Sequence, residues 1–204
     1  MKSMHDFYES LAKSHAAEDL PCWEEIYRNA FPTMVSFQNH RYDMDRQKAG
    51  IDRTITLVNG KQILVDEKAR DRVYCNDILL EYISNDHTGA LGWVCKPLLC
   101  DYIAVAYMKS GHAFMLPVLQ LQQAWELNKH DWLKHYRIPP ARNQGYKTHN
   151  VAVPTDKLFR AIGSQLRVQF TPIGSSVVTT YKQTVDDIGQ LGFAFDNLSH
   201  SHQP

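Results

Sequence analysis

Residues 50–68 read Gly-Ile-Asp-Arg-Thr-Ile-Thr-Leu-Val-Asn-Gly-Lys-Gln-Ile-Leu-Val-Asp-Glu-Lys, a stretch that predicts two β-strands joined by a tight turn. In its first half, Ile51, Ile55 and Leu57 alternate with polar residues, and this period of two is typical of a half-buried strand. Asn59-Gly60 tolerates the positive φ angles that a chain reversal needs. We therefore expect a β-hairpin, around which the rest of the fold is arranged.

The length of the turn decides which side chains of this hairpin meet. A two-residue loop pairs Val58 with Lys61 and places Asp52 opposite Glu67, whereas a three-residue loop pairs Leu57 with Lys61 and places Asp52 opposite Asp66. We predict the three-residue loop, with Gly60 left-handed in a bulge. Lys68 then projects from the same face as Asp66, because alternate residues of a strand share a face.

Two adjacent carboxylates beside a lysine suggest chemistry, because like charges repel unless a cation lies between them. Hard oxygen ligands favour Mg²⁺ or Mn²⁺. The lysine could then orient or deprotonate a water, or stabilise charge that develops on a phosphate. The alternative is a solvated hairpin that carries an ordinary Asp–Lys surface pair.

The spacing of these residues is similar to that of the PD-(D/E)XK nuclease superfamily. Asp52 precedes Asp66-Glu67-Lys68 by 14 positions, and the superfamily places one Asp on a strand and (Asp/Glu)-x-Lys on the next strand of a hairpin. Ile51 stands where the motif has proline. The run Gln47–Asp52 resembles small phage and prophage members of this group, and the resemblance covers roughly residues 20–160.

The resemblance implies a role for each motif residue. Asp52, Asp66 and the backbone carbonyl of Glu67 would hold Mg²⁺ or Mn²⁺, and Lys68 would act on the attacking water. Some members add a glutamate from the helix before the hairpin, and Glu25 is the candidate here. The implied fold is α/β (α+β), a restriction-endonuclease-like core whose mixed β-sheet is flanked by helices, with the active-site hairpin at residues 50–68.

The implied function is metal-dependent hydrolysis of phosphodiester bonds, with DNA as the expected partner and RNA as the other option. A first alternative is a relative with the same fold that has lost catalysis and binds nucleic acid or a host protein. A second is a small interaction protein whose hairpin only looks like the motif. This second alternative predicts the two-residue turn.

Basic residues near the motif are candidates for contacts with nucleic acid. Arg53 and Arg70 could bind phosphates, and Gln47 could contact the substrate or be an ordinary solvated loop residue. The chain has 22 Lys plus Arg and 22 Asp plus Glu, so its net charge is zero and any basic surface has to be local. Glu81 lies in a predicted strand, where its charge needs a partner: the lysine, the metal or a basic side chain.

The resemblance implies a nuclease-like domain at residues 1–164, followed by a C-terminal extension at 165–204. Helices are predicted for residues 5–16 and 21–31, and the extension is strand-like before a polar tail at 197–204 that we expect to be disordered.

Nothing in the sequence predicts a membrane span or a signal peptide, so we expect a cytoplasmic protein, in a bacterium or in the host cell of a phage. The four cysteines lack the paired spacing of a zinc site and are expected to be reduced. The oligomeric state is left open.

Overall fold

The structure is a computed structural model that describes residues 21–71, 73, 76–143, 145–169 and 183–184. The helix predicted at residues 5–16 and the tail at 197–204 lie outside these residues. The described helices are α1 (Cys22–Ala30), α2 (Met44–Lys48), α3 (Val118–His135) and α4 (Thr155–Ile162). The described strands are β1 (Met34–Asn39), β2 (Arg53–Leu57), β3 (Gln62–Arg70), β4 (Asp77–Asn85), β5 (Ala90–Leu91), β6 (Tyr102–Tyr107), β7 (His112–Pro117), β8 (Pro140–Arg142), β9 (Lys147–Pro154), β10 (Ser164–Gln169) and β11 (Gln183–Thr184).

The described strands form two sheets. The larger sheet has the order β1-β2-β3-β6-β7-β10-β11, and the smaller one has the order β5-β4-β9-β8. In the larger sheet β3 and β6 run parallel and the other neighbours are antiparallel. The predicted class, a mixed sheet flanked by helices in an α+β protein, is therefore confirmed. Within the described residues, no helix combines the length and the apolar character that a membrane crossing needs.

The hairpin between β2 and β3 has the predicted three-residue turn. Arg53 pairs with Val65, and the Leu57 N–H donates to the Lys61 carbonyl at 2.9 Å. Gly60 closes the turn with φ of +79°, a left-handed conformation that costs glycine nothing. The pairing that would place Asp52 opposite Glu67 is excluded.

Each face of the larger sheet is covered by its own hydrophobic core. One core joins Trp23, Ile26 and Tyr27 of α1 to Ile55 and Val65 of the hairpin. The other core joins the opposite face of β6 and β7 to the smaller sheet, α3 and α4. Its members include Ile78, Leu80, Ile103, Leu116, Leu121 and Trp125. The sheet is thus the middle layer, and a side chain on β3 points toward one core or the other.

The described part of the C-terminal region contributes a strand to this sheet. β10 pairs antiparallel with β7, with Leu166 opposite Met115. The Nδ2 of Asn29, on α1, also donates to the Gln169 carbonyl at 3.3 Å. The predicted boundary between residues 164 and 165 therefore falls inside a sheet strand.

We expect substitutions of Gly60 to destabilise the protein, least for Gly60→Asn, more for Gly60→Ala and most for Gly60→Val. A Cβ at this position meets no atom within 4 Å, so the cost comes from the left-handed backbone alone. That cost is about 1 kcal/mol for Ala, less for Asn and more for a β-branched residue. Urea denaturation of the three variants measures it, and equal stability of Gly60→Val and wild type would contradict the turn.

Candidate functional site

The alternation along the hairpin gathers three predicted site residues on one face. Val65 is buried against α1, so Asp66 and Lys68 point to the other side of the sheet. Asp52 directly precedes β2; its backbone N–H donates to the Val65 carbonyl at 2.9 Å, and its carboxyl lies close enough to that of Asp66 to raise the Asp66 pKa. Asp52, Asp66 and Lys68, which we call the site triad, therefore project together as the sequence predicts.

Strong electrostatic coupling joins the members of the site triad. The Lys68 ammonium lies 2.5 Å from Asp66 Oδ1, and only 4% of Asp66 is exposed. Burial raises the pKa of the Asp66 carboxyl to about 7; Lys68 opposes this shift and Asp52 adds to it. Burial lowers the pKa of Lys68, but the charges of Asp66 and Asp52 outweigh it, so the net shift is upward.

The Asp52 carboxylate is held by two N–H donors. Its Oδ1 accepts from Gln47 Nε2 at 3.0 Å, and its Oδ2 accepts from the Glu67 backbone N–H at 2.7 Å. The backbone of Asp52 is also fixed, because its N–H donates to the Val65 carbonyl and its carbonyl accepts from the His40 N–H. Gln47 is therefore brought to the site, where it contacts an acidic side chain of the protein itself.

The oxygen donors of the site fit a hard divalent cation. The Glu67 N–H points toward Asp52, and the carbonyl of the same residue in an extended strand points to the same side. Two carboxylates and a carbonyl oxygen are ligands that Mg²⁺ and Mn²⁺ prefer. Among the described residues, no group of three or more His, Cys, Asp or Glu side chains is placed to hold a metal, so a cation here would keep several waters.

The Glu67 side chain points away from the site triad, into the core beneath α1. Its Oε1 accepts a hydrogen bond from Arg53 Nε at 2.9 Å, and its Oε2 accepts one from Arg53 Nη2 at 3.1 Å. Its Oε1 also accepts from the Tyr27 hydroxyl. Burial raises the pKa of Glu67 against the opposing effect of Arg53, and burial with the nearby Glu67 raises that of Tyr27 well above its ordinary value.

The placement of Arg53 corrects its predicted role as a nucleic-acid contact. Arg53 is 4% exposed, pairs with Glu67 and has its guanidinium 5.4 Å from the centre of the Phe37 ring. A substrate phosphate would have to break a buried ion pair to reach it. The sequence held the signal for this, because the alternation places Arg53 on the same face as the apolar Ile55 and Leu57.

The predicted contribution of Glu25 to the site is likewise not supported by its position. Glu25 lies on α1, whose buried residues pack against the face of Val65. The sheet therefore separates Glu25 from Asp66. The spacing of apolar residues along α1 shows that Glu25 lies outside the apolar side of the helix. It does not show which face of the sheet the helix covers.

Further charges surround the lysine on the site face. Arg70 follows Lys68 by two residues on β3 and so shares its face. Glu81 of β4, whose partner the sequence left open, lies in the field of Lys68, Arg70 and Lys96; burial raises its pKa and these charges oppose the shift. The sequence did not predict the effect of Lys96 on Glu81, because only tertiary packing brings the loop that carries Lys96 close to β4.

Comparison with protein-family models, with curated proteins and with solved structures finds no match.

Replacing Arg53 by Met should cost about 3–5 kcal/mol of unfolding free energy, because it leaves the Glu67 carboxylate buried without its charged partner. Urea denaturation measures the loss. Arg28→Met is the matched control, since Arg28 forms an exposed pair with Glu24 that contributes well under about 1 kcal/mol. A loss for Arg53→Met no larger than that of the control would contradict the buried pairing.

Asp66 should make the protein less stable as the pH rises from about 4 to about 7. Its carboxyl has a pKa of about 7 in the folded protein against 3.8 in a model peptide, so the folded state holds the extra proton in this window. Stability then falls by up to about 1.4 kcal/mol per pH unit from this group alone. The free energy of unfolding of Asp66→Asn, relative to that of wild type, should therefore rise from pH 4 to pH 7.

Urea denaturation at several pH values tests this expectation. Asp131→Asn is the control, because Asp131 is an exposed residue on α3 that lies far along the chain from the site. If wild type and Asp66→Asn gave parallel stability profiles from pH 4 to pH 7, the raised pKa of Asp66 would be wrong.

Proposed function

We propose that this protein is a metal-dependent nuclease that hydrolyses phosphodiester bonds in DNA, with RNA as the other possible substrate. The observation that carries the proposal is the site triad: Asp52, Asp66 and Lys68 share one face, and the Glu67 peptide is directed toward Asp52. On this proposal the larger sheet is a restriction-endonuclease-like core, and the protein acts in the cytoplasm of a bacterium or of a phage's host.

Asp52, Asp66 and the Glu67 carbonyl would hold Mg²⁺ or Mn²⁺. The bound ion would supply Lewis-acid stabilisation of the phosphate and a more acidic water. The raised pKa of Asp66 supports this assignment, because burial is its main cause and a cation beside a poorly solvated carboxyl would favour the ionised form.

Lys68 is suited to act as a cation. Its raised pKa keeps the ammonium protonated at neutral pH, so it is poised to orient the attacking water by donating hydrogen bonds and to stabilise charge on the phosphate. Asp66 Oδ1, at 2.5 Å, fixes the direction of that ammonium. Removal of a proton from the water would then fall to another group or to solvent.

Arg70 remains the proposed contact with the nucleic-acid backbone. It lies on the face of the site triad and is only partly buried, and an arginine binds phosphate through its planar set of donors. The neutral net charge of the chain is consistent with a local contact of this kind.

A second candidate function is nucleic-acid or host-protein binding without catalysis. The position of Glu25 across the sheet favours it, because the motif then supplies two carboxylates to the metal, Asp52 and Asp66, without the glutamate of the preceding helix. Metal binding separates the two functions, since a relative that has lost catalysis has no need to bind Mg²⁺.

Cleavage of a panel of labelled DNA and RNA substrates with Mg²⁺ or Mn²⁺ tests the proposal. Asp66→Asn and Lys68→Met should each reduce the rate by about 100-fold or more, because each removes charge that the reaction requires. Asp131→Asn and Lys61→Met are matched controls at exposed positions and should keep the wild-type rate. A chelator should abolish cleavage.

Two outcomes would count against the proposed nuclease function. Cutting that persists in both site variants would identify a contaminant. The absence of any cutting, together with the absence of Mg²⁺ and Mn²⁺ binding by calorimetry, would leave the binding function.

A further inference from the structure

Gln47 and the Glu67 peptide hold Asp52 from two sides. Gln47 Nε2 donates to Asp52 Oδ1 at 3.0 Å, and the Glu67 N–H donates to Asp52 Oδ2 at 2.7 Å. We propose that Gln47 is a positioning residue, which fixes the Asp52 carboxylate so that its remaining lone pairs face the metal site. This inference rests on the proposed function, and it replaces the expectation that Gln47 contacts nucleic acid.

The surroundings of Gln47 determine which way its amide points. The amide group lies against the Asp52 carboxylate and, at 3.4 Å, the His40 carbonyl oxygen. Both are acceptors, so only the NH₂ group can face them. Its two N–H groups are then directed to partners within the protein, which argues against a role in gripping a substrate phosphate.

The segment that carries Gln47 is anchored on both sides of the residue. Asp43 caps α2 by accepting from the Arg46 N–H at 3.1 Å, and the Ala49 carbonyl accepts from the Leu99 N–H at 2.9 Å. Gly50 follows with φ of +73°, and a Cβ there would come within 2.5 Å of the Leu98 side chain. The backbone that carries Gln47 is therefore held in place on both sides of the residue.

One donor on each oxygen has a clear consequence for Asp52. A carboxylate offers about four lone-pair sites, and this arrangement uses two of them while preventing rotation of the group. Both donors are neutral. They therefore form hydrogen bonds with the carboxylate without adding a positive charge that would compete with a metal ion. Partners that orient a metal ligand in this way typically change metal affinity by about 10–100-fold when removed.

Gln47→Met tests the inference, because it keeps the length of the side chain and removes its donors. The matched control is Gln123→Ala, which changes an exposed glutamine on α3. Three quantities are measured on the full chain: Mn²⁺ affinity by calorimetry, affinity for a labelled DNA oligonucleotide in chelator, and the hydrogen-exchange rate of the Glu67 amide without metal. We expect Gln47→Met to weaken Mn²⁺ binding by about 10-fold and to speed exchange at Glu67, with DNA affinity unchanged.

The opposite pattern, lower DNA affinity with unchanged Mn²⁺ binding and unchanged Glu67 exchange, would overturn the inference and restore Gln47 as a substrate contact. If the wild type bound no Mn²⁺, the inference and the metal site would fall together. If the wild type bound Mn²⁺ but cut no substrate, and Gln47→Met weakened that binding, the positioning role would stand while the nuclease function failed.

Discussion

The pairing of β2 with β3 is the constraint on which the rest of the site depends. With Arg53 opposite Val65, the Asp52 carboxyl comes to lie beside that of Asp66, and Lys68 shares the face of Asp66. A shift of one residue would send these groups to opposite faces, because side chains alternate along a strand. The left-handed Gly60 that closes the turn therefore has an effect far from its own position.

Glu67 connects the two sides of the sheet. Its carboxylate is buried with Arg53 and Tyr27 beneath α1, while its peptide N–H holds Asp52 on the other face. A buried charge has little freedom when its partners are fixed, so the pair on the hidden face also immobilises the peptide at the site.

The electrostatics of the site follow from this arrangement. Asp66 lies in a poorly solvated position between an acid and a lysine, and burial has the largest effect on its pKa. The same proximity keeps Lys68 charged. A divalent cation beside Asp66 would offset the cost of ionising this buried carboxyl.

The sequence by itself determined the hairpin, its three-residue turn and the shared face of Asp52, Asp66 and Lys68, because these depend on local alternation and on residues that tolerate positive φ. It also held the signal that Arg53 is buried. Only the tertiary structure decided that α1 covers the opposite face, which separates Glu25 from the site, and that β10 joins the sheet. The physical reason is that periodicity defines the apolar side of an element but not the surface against which that side is buried.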